Sequence, residues 1–156
     1  MADIRVIVAP YELDRLRSGT GRGPEELLAG GALAALAVGG ASVTSETLEI
    51  GSEFHQTGVG EIDACFALIA RTAEAVRGAR AAGAFPVILS GSCFMSIGVV
   101  AGIDEERPSV LWLDAHGDFN EPATTESGYF DGMGLAVLTG DAWQAMHASV
   151  PGARAV

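Results

Sequence analysis

Residues 111–134 read LWLDAHGDFNEPATTESGYFDGMG, and their reading decides both the fold class and the place of any chemistry. Leu111, Trp112 and Leu113 predict a short buried strand, and Asp114, His116 and Asp118 follow at two-residue spacing. On an extended strand, positions i, i+2 and i+4 share a face. Two carboxylates and an imidazole then converge at the carboxyl end of a strand, where open α/β sheets hold their ligands. Oxygen and nitrogen donors of this kind suit Mn²⁺, Fe²⁺ or Zn²⁺, and a carboxylate-rich set leans toward Mn²⁺. The alternative reading of the same residues is an N-cap aspartate, a turn aspartate and a hydrogen-bonded histidine.

The ordered run Asp114-Ala115-His116-Gly117-Asp118, then Phe119-Asn120-Glu121-Pro122 and Thr124-Thr125-Glu126-Ser127-Gly128, resembles the arginase and agmatinase family, the ureohydrolases. The resemblance implies that Asp114 bridges two Mn²⁺ ions and that His116 and Asp118 each bind one. It also places Asn120, Thr125 and Ser127 where arginases hold the α-carboxylate of an amino-acid substrate. As bare residues, those three are uncharged donors that any solvated loop contains.

Two positions depart from the family pattern. After a third predicted strand, Val87–Leu89, the chain reads Ser90-Gly91-Ser92-Cys93-Phe94. The family carries Gly-Gly-Asp-His-Ser there, so Cys93 stands at a metal-ligating histidine and Ser92 at its neighbouring aspartate. A thiolate shifts preference from Mn²⁺ toward Zn²⁺ or Fe²⁺. Asp131 stands where family members commonly use a histidine in proton transfer. It serves that role only if its pKa is raised, and otherwise reads as a turn residue before Gly132.

Composition narrows the function classes. A 156-residue chain that is 49% hydrophobic supports one globular domain with a real core. Its formal charge of −11 argues against nucleic acid or an anionic membrane as partner. The nine basic residues are all arginine, which excludes Schiff-base lysine chemistry and a P-loop lysine. Cys65 and Cys93 show no CxxC spacing, and the charged N-terminus has no apolar signal core, so a cytoplasmic location with reduced thiols is expected. The uncharged run from Ala81 to Ile103 contains Pro86 and the Ser90-Gly91-Ser92 break, which predict strand, turn and helix rather than a membrane span.

Elsewhere strands and helices alternate. Ile4–Val8 predicts a strand buried on both faces, and Pro24 opens a helix with Glu25 and Glu26 in its first turn. The preceding glycine-rich loop lacks the spacing of a phosphate cradle. Ser42–Ile50 reads as a second strand near an edge. From Glu61 to Arg80, Ile62, Cys65, Phe66, Ile69, Ala73 and Val76 recur at helical spacing, with Cys65 as core filler. His55 reads as a surface or capping residue. A helix interrupted at Gly140 is expected over 135–146, with His147 capping its dipole.

The expected fold is therefore α/β, a three-layer αβα arrangement with a mainly parallel sheet, resembling the first half of the arginase fold. The expected domain is a single arginase-like unit over residues 1–156, which stops before the family's second Asp-x-Asp motif. The resemblance implies a metal-dependent hydrolase that cleaves a C–N bond of a linear guanidine or amidine, arginine-like or modified, by metal-activated water. Asp118 and Asp131 are the proton-handling residues, and Asp114, His116, Asp118 and Cys93 the metal ligands. Binuclear Mn²⁺ is the implied cofactor, with Zn²⁺ or Fe²⁺ possible through Cys93. Without a cation, so many acidic groups in one cleft would cost several kcal/mol of repulsion. The incomplete ligand set and an uncovered sheet edge predict a homo-oligomer, a complementing chain or an excised fragment. A non-catalytic metal-binding or assembly subunit derived from the family is the alternative.

Overall fold

Ile4–Ala9 (β1) is the middle strand of the sheet because it is β-branched, uncharged over Val6–Ala9, and buried there on both faces. In the computed structural model, which describes residues 3–51, 54 and 60–156, β1 is flanked in parallel by two other strands. Tyr11–Glu12 (β2) and Arg15–Leu16 (β3) form a small antiparallel hairpin directly after it. Val43–Thr47 (β4) lies on one side, with Val6 opposite Ser45, and Phe85–Ser90 (β5) on the other, with Val6 opposite Val87. His55 lies outside the described residues.

Gly23–Ala29 (α1, with Pro24 in its first turn) and Ala32–Leu36 (α2) connect β1 to β4. Glu61–Ala81 (α3) then carries the chain back across β1 to β5. The two crossovers run in opposite directions along the sheet, so right-handed connections put their helices on opposite faces. This is the expected αβα layering. The carboxyl ends of β1 and β5 meet where the winding reverses, which is where such sheets bind ligands.

Met95–Ile103 (α4) packs closely on α3 because two glycines remove the side chains between them. A Cβ on Gly98 would lie 2.4 Å from the Ile69 carbonyl oxygen, and one on Gly102 would lie 2.6 Å from that of Ala73. Around this contact Leu68, Ile69, Val76, Met95 and Ile97 are fully buried. Cys65 is core filler as expected, and burial pushes its thiol pKa upward. No helix among the described residues is long and apolar enough to cross a membrane.

Three expectations are corrected. Leu111–Leu113 is not a buried strand: it has no hydrogen-bonded neighbour, and Leu111 and Leu113 are 82% and 86% exposed. A strand exists only against a partner, and β4-β1-β5 is the whole parallel sheet among the described residues. For the same reason β5 is only half-buried, since one of its edges is open. Finally, His147 is in the last turn of Gln144–Ser149 (α6) but buried, and burial lowers its pKa. A neutral imidazole offers the dipole no cation. The break expected at Gly140 is present, with φ +82, between Gly134–Leu138 (α5) and α6.

The glycine contact gives a stability test. Gly98→Ala should lower unfolding free energy by about 1–3 kcal/mol through overpacking, while Gly23→Ala, whose Cβ meets nothing within 4 Å, should change it by less than about 0.5 kcal/mol. Urea melts of the two variants distinguish a close helix contact from a loose one, which would leave them alike.

Candidate functional site

The turn after β5 is built by local hydrogen bonds that aim one side chain outward and bury its neighbour. Ser92 N–H donates to Ser90 Oγ at 3.0 Å. Ser92 Oγ in turn accepts the Leu13 N–H at 3.0 Å, tying the turn to the β2–β3 hairpin, and the serine is 5% exposed. Gly91 is obligatory because a Cβ there would lie 2.5 Å from Gly21 and from the Tyr11 carbonyl. Cys93 is left half-buried at the carboxyl end of β5.

Asp131 closes this turn from the other side. Its Oδ1 accepts the Phe94 N–H at 3.2 Å, across 37 residues of chain. Phe130 holds Asp131 in place, with its ring 5.3 Å from Phe94, 5.5 Å from Phe66 and 6.1 Å, edge-on, from Trp143. Burial raises the Asp131 pKa, and the hydrogen bonds it accepts from Phe94 and Ser92 pull the other way.

Asp118 reaches the same place from a different segment. Its backbone is left-handed, with φ +45, and its carbonyl oxygen accepts the Leu135 N–H at 2.9 Å, which anchors the start of α5. The residue is 7% exposed, and Oδ2 is buried with no hydrogen-bond partner among the described residues. Burial raises its pKa and the Asp114 charge adds to this, while His116, Cys93 and Trp112 oppose it. The Trp112 indole N–H is also buried without a partner.

Cys93, Asp114 and Asp118 form one cluster, whose three candidate ligand atoms all lie within 4.8 Å of one another. Cys93 Sγ is 3.9 Å from Asp114 Oδ2. Burial, followed by the charges of Asp131, Asp118 and Asp114, pushes the Cys93 thiol up to about 12. The donor chemistry and the unpartnered Asp118 oxygen fit a cation, which would supply the missing partner and permit the thiolate.

His116 does not join them. Its backbone N–H donates to Asp114 Oδ1 at 2.8 Å, its Nδ1 lies 3.1 Å from the same oxygen, and its side chain is 83% exposed. That backbone donor is the main cause of the lowered Asp114 pKa. The shared strand face expected for Asp114, His116 and Asp118 is absent because the chain bends at Ala115 and His116 and again at the left-handed Asp118.

A cavity of about 600 Å³ opens over the cluster, lined by Cys93, His116, Asp118, Asn120, Asp131 and, from the loop after β1, Thr20. Asn120 is fixed by its N–H, which donates to the Gly132 carbonyl at 3.0 Å. Thr125 and Ser127 are not on the cavity wall. Their hydroxyl oxygens accept the N–H groups of Gly128 and Tyr129, at 3.0 and 3.2 Å, as turn closures. Sequence reasoning missed Thr20 and Tyr129, which also lines the cavity. The only signal for Thr20 was its place on a glycine-rich loop following the first strand.

Linkage gives this site a measurable sign. Asp118 and Asp131 both titrate above 3.8 when folded, so between the ordinary and raised values the folded chain holds more protons than the unfolded one. Their contribution to stability is therefore lost as pH rises through that window. Metal-free Asp118→Asn should unfold at higher urea than the wild type at pH 7, with the difference vanishing near about pH 3. An equal or lower midpoint at pH 7 would remove the claim of a destabilising buried carboxylate.

The chain matches the sequence model of the Arginase family over residues 2–156. It is 28% identical over 144 residues to an arginase of Brevibacillus brevis, covering 88% of this chain and 48% of that protein. An arginase of Eremothecium gossypii is 43% identical over 84 residues, covering 51% of this chain and 21% of the other. Among solved structures, arginase from Bacillus cereus superposes with a TM-score of 0.82 at 26% identity, over 99% of this chain and 53% of that one. Native arginase from Bacillus caldovelox gives 0.80 at 27%, over 97% and 53%. The chain thus spans about half the length, or less, of these relatives.

Proposed function

Because this chain belongs to the arginase family, we propose that it is a metal-dependent hydrolase that cleaves a C–N bond of a linear guanidine or amidine. The observation that carries the reading is the convergence of Cys93, Asp114 and Asp118 beneath a cavity walled by Asn120 and Asp131. Those three residues would hold a divalent cation. When bound, such a cation lowers the pKa of a water toward about 7 and polarises the substrate.

The chain's own residues account for the remaining demands of the reaction. A guanidinium is cationic and planar, and the carboxylates of Asp118 and Asp131 give the cavity a matching negative potential. Addition of water to the trigonal carbon requires one proton to be accepted and one delivered to the departing nitrogen. Asp118 is assigned as the acceptor, since its carboxylate lines the cavity beside the residues that would hold the cation. Asp131, whose pKa burial also raises, is assigned to deliver a proton to the amine as the C–N bond breaks. The products are urea, or its analogue, and an amine.

Asn120 is assigned to the far end of the substrate, since it lies on the cavity wall. Thr125 and Ser127 remain candidates for a carboxylate at that end, because each hydroxyl that accepts a backbone N–H still has its own O–H to donate. A second copy or a complementing chain would cover the open edge of β5.

The test is urea release from arginine, decarboxylated arginine and N-hydroxylated guanidines by the metal-loaded chain. Asp118→Asn should reduce the rate at least about a hundredfold, with Asn120→Ala raising KM for substrates that carry a carboxylate. No urea from any of these compounds, either alone or with the remaining half of a relative supplied in trans, would end the reading.

A further inference from the structure

We propose that this site takes one borderline-soft divalent cation, of the Zn²⁺ class, through the Cys93 thiolate and the Asp118 and Asp114 carboxylates, rather than a pair of hard cations. The inference rests on the family reading above for the place of the site and departs from it on the metal.

The donor count comes first. Three ligand atoms within 4.8 Å of one another enclose a single point. Zinc bonds of about 2.0–2.3 Å put two ligands of one tetrahedral ion roughly 3.3–3.8 Å apart, so these side chains would close by up to about 1 Å onto a single ion. Two cations separated by about 3.5–4 Å need a broader and larger donor set. The group that would extend this one, the His116 imidazole, lies against Asp114 Oδ1 at 3.1 Å and is 83% exposed.

Independent support comes from Asp118. The residue is more than nine-tenths buried, and its Oδ2 has no hydrogen-bond partner among the described residues. An unpaired buried carboxylate oxygen is costly, and a cation held jointly with Cys93 removes the cost. The choice of cation then follows from sulfur. Thiolate ligands select zinc-like metals, whereas Mn²⁺ prefers carboxylate and water and is the weakest binder of the divalent series. Three protein ligands with a fourth position facing a cavity is the arrangement of an open zinc site.

Cobalt(II) is the probe, since thiolate ligation produces an intense near-ultraviolet charge-transfer band that oxygen ligation does not. Titration of the chelator-treated full chain should give that band with an endpoint of one Co²⁺ per chain. Equimolar Zn²⁺ should abolish it, and a tenfold excess of Mn²⁺ should not. The band should be lost in Cys93→Ser with Zn²⁺ affinity falling by roughly a hundredfold or more, and kept in Cys65→Ser. Cys93→His should narrow the Zn²⁺ over Mn²⁺ preference at least about tenfold. Should Cys93→Ser not fold, protection of wild-type Cys93 from alkylation by Zn²⁺ but not Mn²⁺ gives the same answer.

Two equivalents bound without the band, displacement by equimolar Mn²⁺, or a Cys93→Ser variant that binds like the wild type would each overturn the proposal. Urea release by a two-Mn²⁺ form would overturn it while upholding the hydrolase reading. The cobalt band without urea release would uphold it while the hydrolase reading failed.

Discussion

The hydrogen bond from the Phe94 N–H to the Asp131 carboxylate, with the Phe94–Phe130 ring contact beside it, joins two segments 37 residues apart. One segment follows β5 and carries Cys93. The other follows a long irregular loop and is held by Phe130 among Phe66, Phe94 and Trp143. A charged acceptor makes a backbone hydrogen bond roughly twice as strong as a neutral one, but only if the charge survives burial. Burial raises the Asp131 pKa and outweighs the hydrogen bonds it accepts, which pull it down. The same desolvation acts on Asp118 and Cys93, so the residues that define the cavity are also those the fold finds costly to keep charged.

Elements that satisfy themselves locally were legible in the sequence. The helical spacing from Glu61 to Arg80 became α3, Glu61–Ala81, because one apolar stripe and an acidic first turn suffice to define a helix. The β-branched run over Ile4–Val8 likewise announced a strand buried on both faces. Leu111–Leu113 looked equally strand-like, but a strand depends on a neighbour that no pattern within three residues reveals. Each of the two exposed leucines forgoes roughly 1.5–3 kcal/mol of burial.

The site was legible in residue type and only partly in geometry. Spacing grouped Asp114, His116 and Asp118, but two-residue spacing converges only on extended backbone, and the left-handed Asp118 breaks that condition. Cys93 entered through alignment with a family motif, and its meeting with Asp114, 21 residues on, is a tertiary fact. Thr125 and Ser127 have a local role that spacing did not reveal. Hydroxyls near glycine serve turns as readily as ligands, and here their oxygens close turns.

The substitutions at the β5 turn make sense as a pair. The family motif places an aspartate and a histidine where this chain has Ser92 and Cys93, so an anion beside a neutral donor is replaced by a neutral group beside a thiol. Ser92 has no room to act as a carboxylate would: it is 5% exposed, and its oxygen is committed to the Leu13 N–H. If the Cys93 thiol ionises against a cation, the turn regains the same formal charge, moved by one residue onto the atom that faces Asp114. The charge next to the cation is thereby kept, while the donor carrying it becomes softer. A thiolate at Cys93 would add to the negative charge of Asp114, Asp118 and Asp131, and a neutral serine at position 92 adds none.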